Sequence, residues 1–205
     1  IFEAGIDDSY FEEGEEVIIK DICKDCQYGT SEKADAKETE GIPILRMNNL
    51  TYEGELDLED LKYIKMSKED KNKYLLEKGD ILFNRTNSQE LVGKTALFDS
   101  DREFVFASYL IRVKINKGKA LPKYVVYYIN SNKIKRKLFN MAKASVNMAN
   151  INAQEMMSIP ITLPSLDRQK EIVSALDIQF KALHSLHELK NNSKEIIEKE
   201  INSLW

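Results

Sequence analysis

Up to residue 165 the apolar positions of this chain fall into short runs, and beyond it they form one long stripe. Val17-Ile18-Ile19 begins a short strand, and the polar stretch from Gln27 to Glu40 reads as a loop. Ile42 to Met47 reads as a second strand, closed by the turn formers Asn48 and Asn49. Residues 57–78 are charged, and Leu58, Leu61, Ile64 and Met66 are spaced for either a helix or a strand followed by a helix. Periodicity leaves both readings open. Gly79-Asp80 is a turn feeding the apolar run Ile81-Leu82-Phe83, and Asn84 to Glu90 is a polar loop. Gly93 to Phe98 and Phe104 to Ile115 predict strands; in the second, Leu110, Arg112 and Lys114 alternate with Ile111, Val113 and Ile115. Pro122 suits the first turn of a helix, whose N–H groups lack partners anyway, and Tyr124, Val125, Tyr128 and Ile129 share one face of it. Ser131 or Asn132 caps a further helix with Ile134, Leu138 and Met141 turned inward, and Met157 to Leu163 predicts a short strand.

From Asp167 to Trp205 neither proline nor glycine interrupts the chain. Val173, Leu176, Phe180, Leu183, Ile197, Ile201 and Leu204 recur on steps of three and four, the seam of a coiled coil, with His187, Lys190 and Lys194 between them. At 1.5 Å per residue the helix is roughly 55–60 Å long. Its seam is too narrow for a lone helix in water, so it lies on its own domain or on a partner. The expected organisation is an acidic extension at 1–16, a mixed α/β (α+β) domain at 17–165 and a long coiled-coil-forming helix at 166–205.

Composition is that of a globular chain, and no apolar run approaches the ~18 residues of a membrane span. The chain begins with Ile1 rather than methionine, which fits a piece of something longer. Two cysteines make no disulfide framework and fit a reducing cytoplasm. The net charge of −4 conceals a segregation: residues 1–40 hold 13 acids and 4 bases, whereas 104–154 hold ten bases and no acid. Local field, not the total, decides what a surface attracts within a Debye length of ~8–10 Å. A polyanion partner is therefore permitted, and so is a merely solvated basic face.

Three segments resemble one family. The first is Gln27-Tyr28-Gly29-Thr30-Ser31 with Gly41-Ile42-Pro43-Ile44-Leu45-Arg46-Met47-Asn48-Asn49. The second is Gly79-Asp80-Ile81-Leu82-Phe83-Asn84-Arg85-Thr86-Asn87-Ser88 with Leu91-Val92-Gly93-Lys94, and the third is Ile159-Pro160-Ile161-Thr162-Leu163-Pro164-Ser165-Leu166 with Gln169 and Ile172-Val173. In that order they resemble the DNA specificity subunits of type I restriction–modification systems. The resemblance implies a target-recognition domain that reads one half of a split site in double-stranded DNA. It implies a helix that acts as spacer, pairs with a second specificity half or a second copy, and docks methyltransferase subunits, with a restriction subunit as a further partner. Catalytic residues and the methyl donor belong to those subunits, so no cofactor, metal or catalytic residue is expected on this chain. One recognition domain and one helix are found where the family pattern has two. The chain therefore reads as half of a subunit, a short subunit acting as a homodimer, or the recognition end of a fused adenine methyltransferase. A coiled-coil interaction module that reads no DNA is the reading from another class.

Arginine reads guanine and asparagine reads adenine through paired hydrogen bonds, while phosphates need only positive charge or N–H donors. Arg85 and Asn87 are the candidate readers, with Thr86 and Ser88 on phosphate. Lys94 behind Gly93 is a phosphate candidate, and Lys143, Ser145, Asn147 and Asn150 belong to a second amide-rich loop expected to face DNA. Tyr28, Thr30, Arg46 and Asn48 are further contacts, and Lys135 and Lys137 are phosphate clamps. The partner-helix interface is expected at Val173, Leu176, Phe180, Leu183, Ile197, Ile201 and Leu204. Cys23 and Cys26 with His184 and His187 have ligand chemistry for zinc, but the pairs lie about 160 residues apart and structural sites use local pairs.

Overall fold

The computed structural model describes residues 6–35, 37, 40–51, 53–145 and 148–203; at 143–145, 187, 191, 195–198 and 200–203 only the backbone is described. A 3-10 turn at Asp8–Phe11 leads into β1 (Glu15–Ile18), one helical turn α1 (Ile19–Ile22) and β2 (Cys23–Tyr28). β3 (Ile42–Leu45), β4 (Lys62–Ile64), α2 (Lys68–Tyr74), β5 (Ile81–Asn84), β6 (Thr86–Asn87) and β7 (Thr95–Leu97) follow. Then come β8 (Val105–Phe106), β9 (Leu110–Ile115), α3 (Pro122–Ile129), α4 (Asn132–Met141), β10 (Lys143–Ser145) and β11 (Met148–Asn150). The chain closes with α5 (Ala153–Met157), β12 (Pro160–Leu163) and α6 (Leu166–Ser203).

The central sheet runs β2-β9-β5-β7, every pairing antiparallel. Strand residues alternate between faces, and this splits the apolar side chains of the sheet between two cores. Ile81, Phe83, Ile111 and Val113 face a core filled by Tyr124, Val125 and Tyr128 of α3, Ile134 and Leu138 of α4, and Ile172 and Leu176 of α6. Leu82, Ala96 and Leu110 face the opposite core with Leu45, Phe98, Phe104 and Phe106. A second sheet, β4-β3-β8, and a third, β10-β11-β6, flank the first, and β1 pairs with β12.

The architecture is the expected mixed α/β domain with a long terminal helix, but several elements differ from the sequence reading. The loop expected from Gln27 begins as strand, because Gln27 and Tyr28 pair with Arg112 and Ile111. The expected single strand 104–115 is broken after Phe106, which frees Tyr109 from the sheet interior. Residues 57–78 resolve into a strand followed by a helix, which Ser67 caps by accepting from Asp70 N–H. The acidic opening is no loose extension: Phe11 is buried against Tyr124 and Tyr128, and Glu15 to Ile18 pair with β12.

α6 begins on its own domain. Gln169, fully buried, accepts from Leu121 N–H at 2.8 Å and donates to the Pro164 carbonyl at 2.9 Å. Leu121 is the residue that caps the start of α3, and Gln169 supplies the acceptor for its N–H, which has no partner within the helix. Two turns further on, Asp177 accepts from the Tyr127 hydroxyl at 2.5 Å and pairs with Lys123 at 2.8 Å, while Phe180 lies against the Tyr127 ring. Val173, Leu176 and Phe180, expected on a partner-facing seam, therefore pack on this domain: Ile172 and Leu176 are buried and Val173 and Phe180 lean on the same core. Leu183, Leu186 and Leu189 stand in solvent beyond it. The Ile197 and Ile201 side chains and Leu204 lie outside the described residues. Replacing Gln169 by leucine keeps the volume but strands a buried donor and a buried acceptor. The substitution should cost about 2–4 kcal/mol in urea denaturation.

Candidate nucleic-acid interface

Two loops read separately from the sequence are joined by main-chain pairing. Asn87 and Thr86 of β6 lie opposite Ala149 and Asn150 of β11, and β11 turns back on β10 as a hairpin. Ile151 N–H donates to the Arg85 carbonyl at 2.9 Å, which carries the contact past the strand ends. The 27–31 arm reaches the same place from β2. Tyr28 accepts from Ala153 N–H at 2.8 Å through its hydroxyl, and its ring lies 5.0 Å beneath the Arg85 guanidinium carbon. Arg85 Nη2 in turn donates to Asn150 Oδ1 at 2.9 Å. Arg85 N–H is bonded to the Tyr109 carbonyl at 3.0 Å, so Tyr109, 44% exposed, stands beside it. Tyr28, Arg85, Asn87, Tyr109, Met148 and Asn150 thus form one cluster at the end of the central sheet. Tyr109 was not a candidate from sequence. Only the break between β8 and β9, a tertiary feature, brings it to the rim.

Several expected contacts turn inward. Lys94 Nζ donates to the Leu50 carbonyl at 2.7 Å, an internal tether and not a free ammonium. Thr30 is buried and its hydroxyl accepts from Glu32 N–H; Thr86 is buried with its hydroxyl sealed from solvent. Arg46 is held at 2.9 Å by Asp60, although Asn48 beside it is exposed. Asn87 Oδ1 accepts from Ser88 N–H at 2.9 Å, the local turn bond that such a side chain forms readily. Lys143 and Ser145 sit on β10, their side chains outside the described atoms, and Asn147 lies outside the described residues altogether.

The acid-free stretch does not form one cationic face. Arg112 is buried and bonded to Asp25 at 2.9 Å and to Gln27, Lys114 pairs with Glu77 at 2.7 Å, and Lys123 pairs with Asp177. The Lys114 ammonium holds the Glu77 carboxyl below its ordinary range. The chain supplies these partners from remote segments, which a count along the sequence cannot register. Among the described side chains what remains is Lys117 and Lys119 in the turn after β9, both exposed, and α4, where Lys133, Arg136 and Lys137 are exposed and Lys135 is half-buried with its ammonium sealed from solvent. α4 abuts the cluster's own loop: Gln89 donates to the Phe139 carbonyl at 3.1 Å, and a Cβ on Gly93 would meet Leu138 at 2.6 Å.

Among the described residues no group of three or more His, Cys, Asp or Glu could hold a metal, and no helix is long and apolar enough to cross a membrane. Cys23 and Cys26 pack against the core from β2, and burial pushes the Cys26 thiol up to about 11.

A sequence model described as type I restriction modification DNA specificity domain matches residues 12–198. The chain belongs to that family. A Methanocaldococcus jannaschii protein named as a type I restriction enzyme MjaX specificity subunit is 31% identical over 188 residues, 89% of this chain and 44% of the relative. The EcoKI specificity subunit of Escherichia coli K12 is 28% identical over 156 residues, 75% of this chain and 33% of its own length. This specificity domain therefore spans less than half of the curated relatives it matches. Its fold is also that of the HsdS subunit from Thermoanaerobacter tengcongensis, at TM-score 0.62 and 18% identity, covering 89% of this chain and 43% of that one. A solved chain from a study of assembly and conformational transition in the type I R-M system gives TM-score 0.66 at 16% identity, covering 90% and 43%.

Two measurements check these placements. Lys94→Met should lower stability by about 1–3 kcal/mol in urea titration, since it strands the Leu50 carbonyl. Burial keeps the Cys26 thiol protonated at pH 8, so alkylation of the native chain should be slow. It should rise as pH is raised toward the thiol's elevated range and jump on unfolding.

Proposed function

We propose that this specificity domain reads one half of a bipartite double-stranded DNA site and directs modification and restriction subunits to it, supplying no catalytic residue. The observation that carries the reading is the β6–β11 pairing, which gathers Arg85, Asn87 and Asn150 from segments about 65 residues apart onto one sheet. Guanidinium and amide groups are the side chains that tell bases apart by paired hydrogen bonds. The major groove, ~12 Å wide, admits a two-stranded ribbon, and β10–β11 with β6 at its side is such a ribbon. Lys133, Arg136 and Lys137 of α4, beside the same loop, serve the phosphates that flank the groove, whereas the sealed Lys135 ammonium does not; these contacts set position and carry no sequence information.

The relatives are named as specificity subunits, and this chain covers less than half of them. A second recognition half, from a companion chain or a second copy, completes the bipartite reader in our proposal. The helix face beyond Phe180, with Leu183, Leu186 and Leu189 exposed, is where it joins. Methyltransferase subunits dock on the resulting helix pair, and the complex works on double-stranded DNA in the cytoplasm.

The test is a fluorescence titration of duplex DNA at two salt concentrations, with the chain alone and with its modification subunits. Binding should weaken with salt by about 0.9 in log–log slope for each phosphate contacted. Arg136→Ala with Lys137→Ala should weaken all sequences alike and lower that slope. Affinity indifferent to salt, with and without the modification subunits, would reject the proposal.

A further inference from the structure

The central sheet's register decides which side chains leave the core together. Phe83 lies opposite Ile111, and Ile111 opposite Tyr28, so these three share a face. Arg85, two residues past Phe83, emerges on that same face, and Tyr109 stands across from it. The face that buries Phe83 and Ile111 therefore ends in a rim made of Tyr28, Arg85 and Tyr109.

The guanidinium at this rim is held by neutral groups alone. Arg46 and Arg112 are each tied to a carboxylate, from Asp60 and Asp25. Arg85 instead rests on the Tyr28 ring and donates through Nη2 to the Asn150 amide oxygen. Its charge stays uncompensated among the described residues. Its Nε is sealed from solvent and unpartnered, as are Asn84 Oδ1 and Thr86 Oγ1 on either side. Three successive residues thus hold a buried polar atom without a partner, whereas folded chains carry few of them. Such a concentration of broken local rules is expected where function, and not stability, sets the conformation.

We propose that Arg85 reads a guanine, and that Tyr28 and Asn150 are the positioning residues that aim it; this rests on the DNA-recognition reading above. A guanidinium has five N–H donors and no acceptor. With Nε enclosed and one Nη2 hydrogen spent on Asn150, the donors left are the two on Nη1 and the second on Nη2. They fit an edge with two adjacent acceptors. Guanine presents O6 and N7 in the major groove, whereas adenine presents one acceptor and one donor. The ring beneath and the amide beside restrict the guanidinium before DNA arrives, so less freedom is lost on binding. Tyr28 is itself fixed at its far end by the hydrogen bond from Ala153 N–H.

The experiment is selection from a random duplex DNA library by the full chain, alone and with its modification subunits, followed by sequencing. The unaltered chain should enrich a motif with at least one invariant guanine position. Arg85→Ala should lower discrimination at that position about 5- to 150-fold and leave the other positions intact. Arg85→Lys keeps the charge but not the planar fork, and should lose the guanine preference while retaining the salt dependence. Tyr28→Ala and Asn150→Ala should blur the same position only, and Tyr28→Phe, which keeps the ring, should largely restore it. Thermal melting of each variant separates lost folding from lost reading, with Arg85→Lys the substitution least able to disturb the fold. A motif whose guanine position is indifferent to Arg85, or a uniform loss at every position, overturns the assignment of Arg85 alone. Enrichment of no sequence by the unaltered chain, with or without its subunits, overturns the DNA-recognition reading beneath it.

Discussion

The antiparallel register of β2, β9 and β5 is the constraint from which the rest of the molecule follows. Strand side chains alternate, so once Tyr28, Ile111 and Phe83 are level, each neighbouring residue has its face assigned. Slipping β5 or β9 by one residue would turn Phe83 or Ile111 toward the wrong core, and slipping β5 or β2 would pull Arg85 and Tyr28 apart. The apolar pattern that sets the register is thus also what aims the polar cluster at its rim. Stability and site geometry are in this respect one property. The small sheet β10-β11-β6 depends on it in turn, since β6 leaves β5 with only Arg85 between them.

Charge in this protein serves two purposes that a running count merges. Arg112, Lys114 and Lys123 belong to the fold, each meeting a carboxylate carried by a distant segment. Burying the Arg112 guanidinium is tolerable because Asp25, Gln27 and the Leu75 carbonyl receive it. The exposed bases of α4 meet no such demand, and their field extends into solvent. Several acidic and basic residues of distant segments therefore meet in three dimensions and cancel, and exposed bases without a carboxylate stay on α4 and in the turn after β9.

The terminal helix is likewise divided. Its first four turns belong to the domain, welded by Gln169, Asp177 and Phe180 to the start and face of α3. Beyond Phe180 the apolar side chains have no cover within the described residues. A helix fixed at its base in this way has its direction set by the domain, and its exposed leucines follow that direction.

Read from the sequence alone, element type was legible wherever period or chain chemistry admits one answer. The alternation through Leu110 to Ile115, the proline at the start of α3 and the uninterrupted run of α6 are of this kind, and so is the family, carried by an ordered set of short segments. The amide-rich stretches around Arg85 and Asn150 were legible as candidates, because few residue types can tell bases apart. Their union was not. β6 has two residues and β11 three, too short for any period, and they exist as strands only because each supplies the other's hydrogen bonds. Nor could the sequence separate Lys94, tethered to Leu50, from an exposed lysine, or Val173 and Leu176 on their own domain from a seam awaiting a partner. Residue type and spacing depend on covalent order, so the chain itself declares them. Partner, burial and direction depend on what arrives from elsewhere in the chain, and only the folded structure decides them.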